Sequence, residues 1–340
     1  MEHKYDAAVP AAVAEGVTVE APARLHMGFL DLNGGIGRRF GSLGLTLEEP
    51  RTRITVWPTQ AVSAHGPSCV RAAGCARTVL RNLRAGSGVH VEIEEAIPEH
   101  AGLGAGTQLS LAVGTALARL FGVERDLAET ASMLERGARS GIGIGAFGQG
   151  GFLVDGGRGP DTRVPPIISR MAFPAHWRVL LIFDQRSKGV HGNAEKAAFR
   201  NLPPFPAEQA AHLCRLALMR VLPALAESNL DDFGRAIAEI QQIVGDHFAA
   251  AQGGRFASPD VAAVLEWLRA QGIVGVGQSS WGPTGFAVIE SEIEAQRLLR
   301  AARTRWGANG PLRFKVCRAR NRGSEVRVGG GPSGLDRTRN

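Results

Sequence analysis

Ile97-Pro-Glu-His-Ala-Gly-Leu-Gly-Ala-Gly-Thr-Gln-Leu-Ser-Leu111 is the stretch on which the fold turns. The alternating run Gly88–Glu94 leads into it as a strand. Gly102, Gly104 and Gly106 then make a glycine-rich turn, and small apolar residues from Thr107 to Leu120 form a helix. Strand, turn and helix start together expose free backbone N–H groups at the positive end of a helix dipole, a cradle suited to phosphate or diphosphate.

Working outward, residues 1–16 lack a period and read as a frayed leader. Val17–Ala21 alternates as an edge strand. It runs into an apolar segment that carries Arg24, His26 and Asp31, and charges in such a run face either solvent or a site. Asn33-Gly34-Gly35 signals a hairpin turn, and Gly44–Leu47 and Arg51–Pro58 continue as strands. A helix over 66–85 presents a basic outer face of Arg71, Arg77, Arg81 and Arg84. A second helix over 126–140 leads into the glycine-rich loop Ser140–Gly151 and a strand at Phe152–Asp155.

A boundary near residue 170 divides the chain into domains at 17–170 and 171–318. The second opens with the strand Trp177–Asp184 and the polar loop 185–193, where Lys188, His191 and Glu195 are at hand for the site. Helical periods follow over 206–227, 230–251 and 259–271. A strand at Ile273–Gly277 leads to a second glycine-rich loop, Gln278-Ser-Ser-Trp-Gly-Pro-Thr-Gly285. The strand Phe286–Ile289, a helix over 292–306 and the strand Leu312–Cys317 close the domain, and residues 319–340 read as a basic disordered tail.

Composition bounds the function. The chain has 340 residues, 44% hydrophobic and 21% charged, as in ordinary globular proteins with two cores. No apolar run reaches the length of a membrane span and no signal pattern opens the chain, so a cytoplasmic protein is expected. Four scattered cysteines argue against a zinc site or a disulfide framework. A net charge of +7 without nucleic-acid-binding signatures favours anionic small substrates over nucleic acid.

Other nucleotide motifs fall away. There is no P-loop lysine motif, and Gly143–Gly148 matches a dinucleotide fingerprint in the wrong context, after a helix and before a strand. The two glycine-rich loops, in order and separation, resemble those of the GHMP kinase superfamily. The resemblance implies an α+β, GHMP kinase-like two-domain fold: a ribosomal protein S5 domain 2-like N-terminal domain and a ferredoxin-like C-terminal domain, with the site between them. Kinases of that superfamily carry Ser-Ser after Gly-Leu-Gly and an aspartate in the loop after the next helix. Here Ala105 and Gly106 stand at the first, and Ser140–Gly151 holds no carboxylate.

One branch matches better. Arg24-Leu-His26, Asp31-Leu-Asn-Gly34, Gly37-Arg38, Gly102–Gln108, Arg139–Gly143 and Gly277–Thr284 closely resemble the beta-ribofuranosylaminobenzene 5'-phosphate synthase family. The resemblance implies transfer of a 5-phosphoribosyl group from phosphoribosyl diphosphate to 4-aminobenzoate or 4-hydroxybenzoate, with loss of CO2 and diphosphate, in tetrahydromethanopterin biosynthesis. It also implies Mg²⁺ and a homodimer. An ATP-dependent small-molecule kinase and a non-catalytic phosphate-ligand-binding protein are the alternatives.

On this reading Arg24, His26 and Asp31 are catalytic: Asp31 steadies the cationic ribosyl centre or binds Mg²⁺, and His26 protonates the departing diphosphate or hydrogen-bonds the substrate. Substrate is bound by Arg38, Gly102, Gly104, Gly106, Thr107, Gln108, Arg139, Ser140, Gly141, Gly143, Gln278, Ser279, Ser280 and Thr284, with Trp281 stacked on the ring.

Overall fold

In the computed structural model, residues 15–186, 200–307 and 310–329 are described. Among the described residues two sheets are formed. The first takes β1 (Val17–Asp31), β2 (Phe40–Thr59), β3 (Ser63–His65), β4 (Gly88–Glu95), β5 (Phe152–Asp155), β6 (Ile167–Met171) and β11 (Glu325–Val328), in the order β11-β1-β2-β4-β3, with β5 on β2 and β6 on β5. The second takes β7 (Arg178–Asp184), β8 (Val276–Gln278), β9 (Gly285–Ile289) and β10 (Leu312–Cys317), in the order β10-β7-β9-β8. All its pairings are antiparallel. Counted along the chain that order is 4-1-3-2, the split βαββαβ arrangement of a ferredoxin-like domain.

The helices are α1 (Cys69–Leu83), α2 (Ala105–Leu120), α3 (Leu127–Met133), α4 (Ile142–Gly148), α5 (Ala207–Leu216), α6 (Leu222–Ala226), α7 (Leu230–Gln252), α8 (Pro259–Ala270) and α9 (Glu292–Ala302). Their starts carry expected signals. Asn229, Ser258 and Ser291 each accept a backbone N–H of the first turn, and Pro259 stands at the first position of α8. No helix among the described residues is long and apolar enough to cross a membrane.

One apolar cluster crosses from the first half to the second. Leu25, Met27 and Phe29 of β1 and Leu43, Leu45 and Leu47 of β2 pack with Phe233, Ile237 and Ile240 of α7 and Phe286 and Val288 of β9. Between His26 and Gly28 the β1–β2 register shifts. Gly28 there has φ +137, and a Cβ on it would meet Ile240 Cγ2 at 2.7 Å, so glycine is required for α7 to seat.

Several expectations are corrected. Val17–Ala21 is not an edge, because β11 covers it. The tail expected to be disordered from residue 319 instead supplies that strand, and residues 330–340 lie outside the described residues. Its anchor is Arg320, whose side chain is fully buried and pairs with Glu20 and Glu48 at 3.0 Å and Glu325 at 3.1 Å. A basic composition hid an ion-pair network whose acidic members lie in β1, β2 and β11. The helix expected over 126–140 stops at Met133, and the loop expected over Ser140–Gly151 contains α4. The glycines of α4 let it pack closely, since a Cβ on Gly145 would meet Ile167 at 2.7 Å. The leader's residues 1–14 and the polar-loop residues Lys188, His191 and Glu195 lie outside the described residues.

Arg320→Met strands three carboxylates around a buried position. It is expected to lower unfolding free energy by about 3 kcal/mol in urea titration, whereas exposed Arg327→Ala is expected to cost under about 0.5 kcal/mol. Equal midpoints for Arg320→Met and the parent chain would contradict the anchoring role.

Candidate active site

The glycine-rich turn and its helix form, with the helix starting at Ala105 rather than Thr107, so that Gly106 lies in its first turn. α2 starts at Ala105 with Gly104 as its cap in the left-handed region (φ 85); no side chain caps it and no acidic residue lies in its first turn. Gly102, Leu103, Gly104, Ala105, Gly106 and Thr107 line the cleft, with Arg24, Arg71, Arg136, Pro98 and His100 around them and Ser280, Trp281 and Gly282 opposite. Arg24 is doubly tied: its backbone N–H donates to Leu103 O at 3.1 Å and its Nη1 donates to Gly102 O.

The second glycine-rich loop closes on the first, backbone against backbone. Ser279 Oγ donates to Gly102 O at 2.8 Å and accepts from His26 N at 3.0 Å. Ser280, at φ 57, donates its N–H to His26 O at 3.1 Å. A Cβ on Gly282 would lie 2.4 Å from Gly102 N, and one on Gly102 would lie 2.2 Å from Ser279 O. Only glycines permit this approach.

Behind Ser280 and Trp281 a second cavity opens, lined also by His26, Gly28, Phe29, Gln241, Val244, Gly245, Phe248, Gln252, Arg255 and Gln278. Its walls are aromatic. Phe248 lies 4.4 Å from Trp281 between ring centroids, and Phe29 lies 4.6 Å from His26 and 6.3 Å from Phe248. The surrounding amides are committed. Gln241 donates to Met27 O and accepts from Gln278 N, both at 2.7 Å; Gln278 accepts from Ala257 N and donates to Ser280 O and Gln252 Oε1. Arg255 makes a two-point pair with Asp246 at 2.7 and 3.0 Å. An anion cleft and an aromatic slot therefore share one seam, Ser280–Trp281.

His26 differs from expectation. It is buried, and its pKa is pushed down to about 3, first by burial and then by the neighbouring Arg24 guanidinium; contact with its own carbonyl opposes this. At neutral pH it holds no proton to give a leaving diphosphate. Its Nε2 is buried with no hydrogen-bond partner among the described residues.

The other predicted site residues divide. Thr107 lines the cradle. Gln108 does not: it is buried, and its amide donates to Gly143 O at 2.7 Å, tying α2 to α4. Ser140 and Gly141 donate to Asp155 Oδ2 at 3.0 and 2.9 Å, and Ser42 also donates to it. Burial pushes the Asp155 carboxyl upward while these bonds and that from Gly157 oppose it. Gly143 packs on Thr107. Thr284 is fully buried and lines a different cavity, with Phe183 and Lys315. Arg139 is half-buried, and it is Arg136, three residues earlier, that lines the cradle.

Asp31 caps the β1–β2 turn through Oδ1, accepting from Asn33 N and Gly34 N at 2.8 Å each. Arg38 donates to Gly156 O and Gly157 O at 2.8 and 2.9 Å. Neither lines the cleft or the slot. The expected Mg²⁺ does not fit the donor set. Among the described residues the cleft's lining includes no carboxylate, and no group of three His, Cys, Asp or Glu side chains is placed to hold a metal ion.

Arg71 and Arg136 were missed as cleft residues. Arg71 read as part of an outward basic face, but α1 packs so that its Nη1 comes within 2.9 Å of where a Gly106 Cβ would be. Arg255 and Phe248 were also missed; no local pattern marks the C-terminal end of α7 as a wall.

Family models for the GHMP kinases N terminal domain and the GHMP kinases C terminal domain match residues 70–151 and 221–308. The beta-ribofuranosylphenol 5'-phosphate synthase of Archaeoglobus fulgidus is 33% identical over 325 residues, covering 91% of this chain and 99% of that protein. That of Methanocaldococcus jannaschii is 33% identical over 309 residues, covering 82% and 91%. Mevalonate diphosphate decarboxylase from Staphylococcus aureus shares the fold at a TM-score of 0.65 and 16% identity, covering 92% of this chain and 98% of that one.

Two outcomes are expected. Arg71→Ala and Arg136→Ala should each weaken diphosphate binding about tenfold in calorimetry, with a shallower salt dependence than the parent chain; unchanged affinity in both would remove them from the site. Folded His26 refuses the proton that the unfolded chain takes up below its ordinary 6.5. Stability should therefore fall as pH drops from about 6.5 toward 3, by up to about 1.4 kcal/mol per unit. His26→Gln should remove that part of the slope; identical slopes for the two proteins in urea titrations at pH 7 and pH 5 would show that His26 titrates normally.

Proposed function

The chain belongs to the beta-ribofuranosylphenol 5'-phosphate synthase family, and from that premise we propose that it transfers the 5-phosphoribosyl group of phosphoribosyl diphosphate to the carboxylate-bearing ring carbon of 4-hydroxybenzoate, releasing CO2 and diphosphate. The observation that carries this reading is the shared seam. A donor anchored by its diphosphate in the cleft meets a flat aromatic acceptor in the slot across Ser280 and Trp281.

The step balances without a protein nucleophile. The bond from ribose C1 to diphosphate breaks, and its electron pair leaves with diphosphate. The ring carbon supplies the pair for the new C–C bond, and the carboxylate's bond then returns its pair to the ring as CO2 departs. The protein's tasks are to hold, orient and exclude water. Arg24, Arg71 and Arg136, with the uncapped start of α2, stabilise charge growing on the leaving diphosphate. With His26 neutral, that stabilisation is electrostatic rather than a proton transfer. Phe29, Phe248 and Trp281 line the slot that would take the ring. The cleft's own residues would give a Mg²⁺ ion no carboxylate ligand, so the charge they set against the diphosphate is that of the arginines.

The test incubates the full chain with phosphoribosyl diphosphate, Mg²⁺ and carboxyl-labelled 4-hydroxybenzoate. CO2 and diphosphate should appear in equal amounts, and Arg24→Ala should lower kcat/KM about 100-fold. Turnover that requires ATP, or loss of the donor without labelled CO2, would refute the reading.

A further inference from the structure

We infer that Glu99 is a positioning residue for the anion cleft: anchored by Ser68, its carboxylate holds one nitrogen of Arg71 over the first turn of α2 and leaves the rest of the guanidinium to the diphosphate. The inference rests on the proposed diphosphate site and adds the residue that sets one of its arginines.

Arg71 stands where a cation is poorly tolerated. It is the third residue of α1, whose first turn carries no acidic residue, and it lies beside the first turn of α2, whose start no side chain caps. The positive ends of two helix dipoles meet it there, and Arg24 and Arg136 line the same cleft. A free side chain in that field would turn away from the cleft.

Glu99 supplies the hold. Arg71 Nη1 lies 3.3 Å from Glu99 Oε1 and 2.9 Å from where a Cβ on Gly106 would be. The carboxylate is itself fixed, because Ser68 Oγ donates to the same Oε1 at 2.9 Å. Ser68 occupies the cap position of α1, yet its side chain caps no N–H of that helix. A hydroxyl suited to capping is spent on Glu99 instead. The other two arginines are tied as well. Arg24 Nη1 donates to Gly102 O, and Arg136 Nε donates to Ser110 Oγ at 3.2 Å.

Glu99 does this from outside the cleft. Pro98 and His100 line the cleft, whereas Glu99 lines the neighbouring cavity that Phe183 and Lys315 share. Among the described residues Glu99 is the only ion-pair or hydrogen-bond partner of Arg71. A guanidinium has five N–H donors in a fixed fork, so Nη1 can stay on Glu99 while the others meet a phosphate oxygen. The sign of the effect separates this role from plain charge. By charge alone, deleting a carboxylate near an anion site tightens anion binding. By positioning, the deletion loosens it.

The experiment titrates inorganic diphosphate into the full chain by calorimetry, for the parent, Glu99→Ala, Glu99→Gln, Arg71→Ala and the double variant. The paired side chains are 36% and 39% exposed, so folding is not at stake. Glu99→Ala should weaken binding about fivefold although it removes a negative charge. Glu99→Gln, which keeps an oxygen for Ser68 and Nη1, should recover most of that loss. In the Arg71→Ala background, Glu99→Ala should have no further effect. Unchanged or tighter binding in Glu99→Ala, or a loss that persists without Arg71, overturns the inference. A parent chain that binds no diphosphate refutes the cleft reading and this inference with it. Binding without CO2 release refutes the proposed reaction alone.

Discussion

Ser279 holds the site together. Its hydroxyl accepts from His26 N and donates to Gly102 O, so one oxygen ties β1, the phosphate cradle and the second-domain loop. Around it Gly102 and Gly282 meet at distances that no Cβ would allow. The two halves are further fixed by the apolar cluster in which β1 and β2 pack on α7. A joint of this kind keeps the start of α2, the Arg24 side chain and the Ser280–Trp281 seam in one geometry. That is what a reaction catalysed by positioning demands.

The electrostatics divide the site in two. On one side of the seam, arginines and an uncapped helix start face a cleft without carboxylates among the described residues. On the other, burial and Arg24 keep His26 uncharged in an aromatic wall. A kinase of similar fold needs a carboxylate near the transferred group. Here the carboxylate beyond the Ser140–Gly151 segment, Asp155, is buried and accepts hydrogen bonds from Ser42, Ser140, Gly141 and Gly157. The same scaffold thus sets a cationic cleft beside an aromatic slot.

Much of this was legible in the residues. The cradle was read from glycine spacing between a strand and a small-residue helix, and the second loop from Gln278–Gly285, because backbone conformation at glycines is a local property. What was not legible depends on packing between distant segments. Arg71 and Arg136 reach the cleft only because α1 and the end of α3 lie beside α2. Gln108 and Ser140 carry polar groups that suit a phosphate, yet their partners are Gly143 O and Asp155. Arg320 sat in a stretch whose composition read as disorder, and its three glutamate partners lie up to 300 residues away in sequence. The protonation state of His26 is likewise set by burial, which no local pattern reports.

The most direct measurement is a crystal structure of the chain with a non-reactive phosphoribosyl diphosphate analogue and 4-hydroxybenzoate bound together. The diphosphate should lie at the start of α2 within reach of Arg24, Arg71 and Arg136, with the acceptor ring in the slot beside Trp281 and its carboxylate-bearing carbon turned toward ribose C1 across Ser280 and Trp281. A diphosphate bound away from the start of α2, or an acceptor ring outside the aromatic slot, would contradict the joined site.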